Sequence, residues 1–250
     1  MLTLKKSLGQ HFLKDESVCV KIVDALKERP FQQLLEVGPG GGALTKYLIE
    51  IPSIQLKLVE IDREKIDFLA KTYSLLKHAI VEGSILEIPV PFQEKFTLIG
   101  NFPYNISTQI VFKVIEWRTQ IETMIGMFQK EVALRICASP GSKDYGILSV
   151  LAQTYFTATY LFDVDEHAFQ PPPKVKSGVI RLTSAGNPYG IDKHEKFQLL
   201  VKAAFGQRRK QLRNPLKPYF DAAVLKEDIF TKRAEQLSVQ DFVHLLSRMK

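Results

Sequence analysis

The sequence is poor in cysteine, and that alone excludes a good deal. Cys19 and Cys137 are the only two, each within an apolar helical pattern and without CxxC spacing. This argues against a disulfide, against a zinc site or other metal centre, and for a reducing compartment. Long apolar runs are missing as well: none approaches the roughly 18 residues that a membrane-spanning helix needs. The opening MLTLKKSLGQHFLKDES is basic but has neither an apolar core nor a small-residue cleavage site, so no secretory signal is expected. Low-complexity tracts and internal repeats are absent. These exclusions leave a globular, cytoplasmic chain of 250 residues, enough for one large domain or one domain with a small satellite.

Acidic residues are scarce too, but only in one region. Residues 1–170 carry 18 Lys and Arg against 20 Asp and Glu, whereas 171–250 carry 16 against 7. Within 171–218 the counts are 11 and 2, so the formal charge of +7 originates in the last third. A polyanion is the natural partner for such a region. A solvated basic face accounts for the charge excess equally well.

Strand and helix patterns alternate through the first two thirds. Strands are expected at 33–37, 55–61, 79–82, 96–100 and 123–128, and two more at about 158–164 and 178–182. Helices are expected through 44–49, from 63 to about 73, and at 107–117, 130–136 and 147–155. This rhythm predicts an α/β fold with a doubly wound, mostly parallel sheet. After TSAGNPYG (183–190) the texture changes to short amphipathic helices: HEKFQLLVKAAFG, RRKQLRNPLKPYF and SVQDFVHLLSRM. The boundary is set at 187/188, with a small all-α domain over 188–250.

The loop EVGPGGGALT (36–45) follows the first strand and opens a helix. Gly38 and Gly40 permit positive φ and close backbone approach, and the helix start offers N–H groups. Glu60 ends the second strand, where an acid hydrogen-bonds ribose hydroxyls in nucleoside-binding sheets. A nucleoside cofactor is the expectation, but its identity is open at this point. Gly38-Pro39-Gly40-Gly41-Gly42-Ala43 also satisfies G-x-G-x-x-A, so a dinucleotide-binding dehydrogenase competes. A tight strand-to-helix turn without a ligand is the plainest alternative.

GNFPYNIST (100–108) shifts the balance. The fourth strand of such a sheet ends beside the cofactor crevice. There Asn101 presents an amide, Pro103 restrains Phe102 so that its carbonyl stays put, and Tyr104 offers a flat face. Two acceptors and a stacking platform suit a planar amine such as that of adenine. Gripping both N–H hydrogens favours a pyramidal nitrogen able to attack a methyl group. A base presented this way has left its stack, and stacking on the aromatic helps offset that loss. An ordinary Asn-Pro-type turn capping a helix is the bland reading.

Seven ordered segments extend the pattern over nearly the whole chain. They are SLGQHFLKD (7–15), LLEVGPGGGALT (34–45), LVEID (58–62), GNFPYNIST (100–108), PGSKDYGILSV (140–150), FQPPPKVKSGVIRL (169–182) and AFGQRRKQLRN (204–214). With these the chain resembles the ribosomal RNA adenine N6-dimethyltransferases, in particular the small-subunit (16S-type) branch. The resemblance implies a Rossmann-like S-adenosylmethionine-dependent methyltransferase domain over 1–187 and an RNA- or ribosome-binding helical domain over 188–250. It implies dimethylation of two adjacent adenosines in the 3′-terminal hairpin of small-subunit ribosomal RNA during ribosome biogenesis. The substrate would be an assembling 30S-type subunit and the enzyme a monomer. By position, His11 and Leu13 would meet the methionine end of the cofactor, Gly38 and Gly40 its methionine and ribose, and Glu60 the ribose hydroxyls. Asn101, Phe102 and Tyr104 would hold the target base, with Asn101 also near the cofactor, and Phe169 would close over the base as a second aromatic. His11 is assigned to binding, because the amine can lose its proton to solvent without a side-chain base. Arg208, Arg209, Lys210, Arg213 and Lys217, spread along a helical face, would contact phosphates.

One position departs from the family. After the third strand an acid usually accepts from the cofactor's adenine amine; here VEGSILEI places Ser84 there, a neutral and weaker acceptor. Three rival readings remain. The macrolide-resistance methylases share the loop, the corner and the proline-rich wall, but the GQRRKQLRN and PGSKDYG segments favour the small-subunit enzyme. An assembly or transcription factor with a vestigial pocket is opposed by intact Asn101, Tyr104 and Glu60. A dehydrogenase lacks a recognisable hydride-acceptor site.

Overall fold

The computed structural model describes residues 11–250, so the SLGQ at 7–10 lies outside the described residues. The chain divides into two units: the described residues up to Ala133 with Thr157–Ser184, and Leu134–Phe156 with Ala185–Lys250.

In chain order the elements up to the last strand are β1 (Phe12–Leu13), α1 (Glu16–Lys27), β2 (Gln33–Val37), α2 (Thr45–Leu48), β3 (Gln55–Glu60), α3 (Arg63–Thr72), β4 (Ile80–Glu82) and β5 (Phe96–Asn101), followed by α4 (Ser107–Glu116), β6 (Ile121–Gln129), α5 (Lys130–Cys137), α6 (Ile147–Gln153), β7 (Phe156–Val164), β8 (Phe169–Gln170) and β9 (Ser177–Ser184). Among the described residues, the first unit is built on a seven-stranded sheet of order β4-β3-β2-β5-β6-β9-β7. Strands β4 to β6 are parallel, and β9 runs antiparallel to β6. The expected α/β fold with a mostly parallel sheet is what forms. Its central strands are near-continuous apolar runs because helices cover both faces of such a sheet; Leu34, Leu35, Leu98, Ile99, Met124 and Ile125 are all buried.

Strand order reverses between β2 and β5. Their register sets Leu34, Leu35 and Glu36 beside Thr97, Leu98 and Ile99. The loop after Val37 and the corner at Asn101 therefore emerge side by side at the switch point, where open α/β sheets bind ligands. The apolar helical pattern around Cys19 becomes α1, and one short feature, the β1–β8 pair, escaped the sequence pattern. Helix α1 is capped by Asp15, which accepts from the N–H of Ser17 at 2.9 Å, and it buries Cys19, Ile22, Val23 and Leu26. β1 pairs antiparallel with β8, Phe12 opposite Gln170 and Leu13 opposite Phe169. Two residues per strand are too few to show periodicity.

The second unit contains α6, α7 (His194–Phe205) and α8 (Val239–Ser247), with 3₁₀ turns between the last two. Phe197, Leu200, Phe220, Phe230 and Phe242 are buried, and Phe205 stacks on Phe242 at 5.9 Å. Ser238 caps α8 by accepting from the Asp241 N–H at 3.1 Å. The expected boundary at 187/188 put 134–156 with the sheet. In the structure this segment groups with the C-terminal residues, since α6 packs on α7.

The helix expected over RRKQLRNPLKPYF does not form: 206–216 is turns, and only Lys217–Tyr219 is a 3₁₀ helix. Pro215 and Pro218 lack the N–H that a helix interior needs. The N–H groups of Leu212 and Arg213 donate to the carbonyls of Lys232 and Phe230 rather than to the preceding turn.

Candidate functional site

A cavity of about 460 Å³ opens at the switch point, within the size range of small-molecule sites. The glycine loop, Glu60, Ser84, the corner from Asn101 to Tyr104 and the segment His11–Leu13 all line it. Of the residues expected at the cofactor or target base, only Phe169 does not. It is fully buried in the core with Leu13, Ile99 and Met127. That corrects its assignment as an aromatic over the base: pairing of β8 with β1 turns the ring inward, and Phe169 anchors the wall instead.

At the loop end, Gly38 and Gly40 take φ of +66° and +57°. A Cβ on Gly38 would meet nothing within 4 Å, so the cavity runs up to bare backbone there. A Cβ on Gly40 would come within 3.3 Å of the Phe12 ring. The loop N–H groups are largely engaged rather than free, and α2 spans only four residues. Gly38 N–H donates to the Val59 carbonyl, and Gly40 N–H donates to Glu60 Oε2 at 3.1 Å. Glu60 Oε1 accepts from the N–H groups of Ile61 and Asp62, each at 2.9 Å. The carboxylate is thus fixed by its own strand end and by the loop it faces.

Two buried ionisable groups at this end carried no role in the sequence pattern. Burial pushes the Glu36 carboxyl up to about 8; the Thr45 hydroxyl, donating at 2.7 Å, opposes this and the neighbouring Glu60 charge adds to it. Lys65 is 1% exposed, with Nζ 3.7 Å from Asp62 Oδ2 and 5.1 Å from the centre of the Phe12 ring. A lysine in an amphipathic helix reads as solvated, and only the fold shows it turned inward. Ser84 reaches the cavity as expected, and its hydroxyl accepts from the Leu86 N–H at 3.2 Å.

The corner end is built by long-range contacts. Asn101 Nδ2 donates to the His11 carbonyl at 3.2 Å. A carbonyl can only accept, so the amide orientation follows and Oδ1 is left as an acceptor. His11 also bonds the Pro171 carbonyl through Nδ1 at 2.9 Å and stacks on Tyr104 at 5.4 Å. The Tyr104 hydroxyl shares a 2.5 Å hydrogen bond with Ser177 Oγ, and burial holds its pKa above the ordinary value. Phe102 donates its N–H to the Met127 carbonyl, and its ring is buried in a slot made by Gly100 and Gly126, partners across β5 and β6. A Cβ at either glycine would lie 2.4 to 2.5 Å from the ring. With the ring so seated, what Phe102 presents to the cavity is backbone.

All five expected phosphate contacts are exposed, but Arg208, Arg209, Lys210 and Arg213 lie in turns and bends and Lys217 in a 3₁₀ helix, not along one helical face. Arg208 also donates to the carbonyls of Lys143 and Tyr145 at 2.6 and 3.1 Å, two bonds that tie together parts of the second unit.

The sequence profile described as "Ribosomal RNA adenine dimethylase" matches residues 1–249. A protein named "Ribosomal RNA small subunit methyltransferase A" from Flavobacterium johnsoniae is 50% identical over 98% of this chain and 95% of its own length. Its namesake from Cytophaga hutchinsonii is 48% identical over 98% and 96%. Among solved structures, a dimethyladenosine transferase from Plasmodium falciparum superposes with a TM-score of 0.80 over 96% of this chain and 99% of its own, at 24% identity. The 23S rRNA methyltransferase ErmE gives 0.70 over 94% and 99%, at 26% identity. With the profile spanning nearly every residue and the fold shared, this chain belongs to the ribosomal RNA adenine dimethylase family.

Proposed function

We propose that the chain dimethylates N6 of two adjacent adenosines in the 3′-terminal hairpin of small-subunit ribosomal RNA, acting in the cytoplasm as a monomer on an assembling 30S-type subunit. The observation that carries this reading is that the Asn101–Tyr104 corner borders the same cavity as the glycine loop and Glu60. The bare backbone at Gly38 fits S-adenosylmethionine, which when bound supplies a sulfonium methyl whose S–C bond breaks as the N–C bond forms. His11, Leu13, Gly38 and Gly40 would hold its methionine and ribose, Ser84 its adenine. Glu60 already accepts three backbone N–H groups, and a carboxylate has about four lone-pair sites, which leaves room for a ribose hydroxyl.

Asn101 Oδ1 and the Phe102 carbonyl accept the two hydrogens of the target amine. Withdrawing them from the ring plane localises the nitrogen lone pair and stabilises the positive charge that grows on attack. Tyr104 supports the base on the ring face that His11 does not cover. The amine's proton then leaves to solvent. Arg209, Lys210, Arg213 and Lys217 contact backbone phosphates, which makes RNA affinity fall as salt rises.

The small-subunit names of the relatives at 48 and 50% identity favour this substrate over the large-subunit RNA named for ErmE at 26%. The test is incubation with labelled S-adenosylmethionine and unmethylated small subunits, followed by mapping of the modified nucleotides. Label on two adjacent adenosines near the 3′ end is the expected result; label on large-subunit RNA, or none, overturns it.

A further inference from the structure

Ser177 is fully buried at the start of β9, opposite Gln129 of β6, and does not line the cavity. Its hydroxyl nonetheless reaches the Tyr104 hydroxyl at 2.5 Å. The ring of Tyr104 is therefore held at two places. His11 packs against one face, 5.4 Å away and tilted by 29°, and Ser177 holds the far end. Packing against His11 limits tilt but not sliding or rotation in the plane; a hydrogen bond at the hydroxyl stops both.

We infer that Ser177 is a positioning residue which fixes the Tyr104 platform, and that the second methyl transfer to each adenine depends on it more than the first. The inference rests on the adenine reading above. Each transfer forms an N6–CH₃ bond, breaks the sulfonium S–CH₃ bond to leave a thioether, and releases one proton to solvent. Unmethylated adenine offers two N–H hydrogens to two acceptors, Asn101 Oδ1 and the Phe102 carbonyl. After the first transfer N6 keeps one hydrogen and carries a methyl, so one acceptor loses its partner. Hydrogen bonding then registers the base less well, and stacking on a fixed Tyr104 carries more of the alignment. Loosening the platform weakens the second step first.

Ser177→Ala and Tyr104→Phe remove the same bond from opposite sides, so a folding defect in one leaves the other available. Unmethylated small subunits are methylated under single-turnover conditions and the nucleosides are separated. In Ser177→Ala the second transfer should slow about fivefold, the scale of one net hydrogen bond, and the first by less than about twofold; in Tyr104→Phe, which alters the platform itself, the second should likewise slow more than the first. N6-monomethyladenosine then accumulates where wild type passes on to the dimethyl product. The double variant should match the singles, because both remove one interaction. Cofactor affinity by calorimetry should stay at the wild-type value for Ser177→Ala. A wild-type product ratio in Ser177→Ala with a lowered melting temperature would reduce Ser177 to a packing residue, and additive losses in the double variant would overturn the shared-bond account. A wild-type chain that makes no dimethyladenosine overturns the adenine reading and this inference together.

Discussion

At one end of the cavity Glu60 takes hydrogen bonds from residues 1, 2 and 20 positions away; at the other, Tyr104 and Asn101 are held by partners 73 and 90 positions away. The loop end is a local device, a strand end folded back on its own turn. The corner end is assembled from β5, β6, β9 and the His11 segment. A local device binds whatever fits it and tolerates change elsewhere. An assembled one holds geometry only while every contributor is in place, which suits the end where a methyl group must meet a nitrogen in line. The two ends should accordingly fail in different ways.

The largest separation is expected from Asn101→Ala. It removes an acceptor aimed at developing charge, and losses of this kind reach about 10² to 10³ in rate. Cofactor affinity should fall less than about fivefold, since the Glu60 contacts remain, an amount near one hydrogen bond. Glu60→Ala should do the reverse. Losing a charged acceptor weakens cofactor binding by roughly 10- to 100-fold, while turnover at saturating cofactor keeps its order of magnitude. Binding calorimetry beside single-turnover rates measures both. Equal losses in both quantities for either variant would erase the distinction between the ends.

Next is Gly126→Ala, which tests whether the corner depends on a neighbouring strand. Its Cβ would fall 2.4 Å from the Phe102 ring, 2.6 Å from Phe128 and 2.7 Å from the Met124 sulfur. Overpacking of this kind costs about 1–3 kcal/mol in stability. Because the displaced ring is attached to the acceptor carbonyl, turnover should fall further than cofactor binding. Adding Phe102→Leu should recover part of both, since the clash is with side chains. Gly100→Ala should resist the same rescue, because its Cβ also meets the Val37 carbonyl at 2.7 Å.

The same contrast explains what could be read from the chain itself. The sheet was legible because its strands are apolar runs at regular intervals, and the loop end was legible because Gly38, Gly40 and Glu60 lie in one βαβ unit. Asn101, Phe102 and Tyr104 stood out as residue types, but what fixes them did not. Gly126 and Ser177 act through register across strands, and nothing in GMF or KSG marks them. Lys65 went unnoticed and Phe169 was misplaced for one reason: side-chain direction depends on which neighbour covers an element. In 208–220 basic residues at helical spacing outweighed Pro215 and Pro218, which forbid the helix, and the prolines decided the structure.

A pH series also distinguishes the ends, because the buried acid Glu36 sits beside the loop. Its folded pKa of about 8 lies above the ordinary 4.5. Between these values the folded state keeps a proton that the unfolded chain has lost, so the stability from the protonated acid is complete below the lower value and is lost as pH rises through the upper. Denaturation midpoints should decline over this window in wild type and decline less in Glu36→Gln, which keeps an acceptor for Thr45. An unchanged slope would place the titration elsewhere.

The smallest effect is expected at Ser84, where the loop end lacks an acid. Ser84→Asp keeps an acceptor for the Leu86 N–H, because Asp makes the same local turn bond to the backbone two residues on as Ser does. It also converts a neutral acceptor at the cavity wall into a charged one, and charge-assisted hydrogen bonds are roughly twice as strong as neutral ones. Against this, Glu36 and Glu60 border the same cavity, and a third carboxyl there raises the charge density. The acceptor contact is short-range and the repulsion is spread over the cavity, so the gain should win, at about threefold in cofactor affinity by the hydrogen-bond scale. Affinity should rise with no change in the ratio of monomethyl to dimethyl product, because the residues that hold the base are untouched. A variant that shifts that ratio would mean the two ends share more of their geometry than their separate contacts imply.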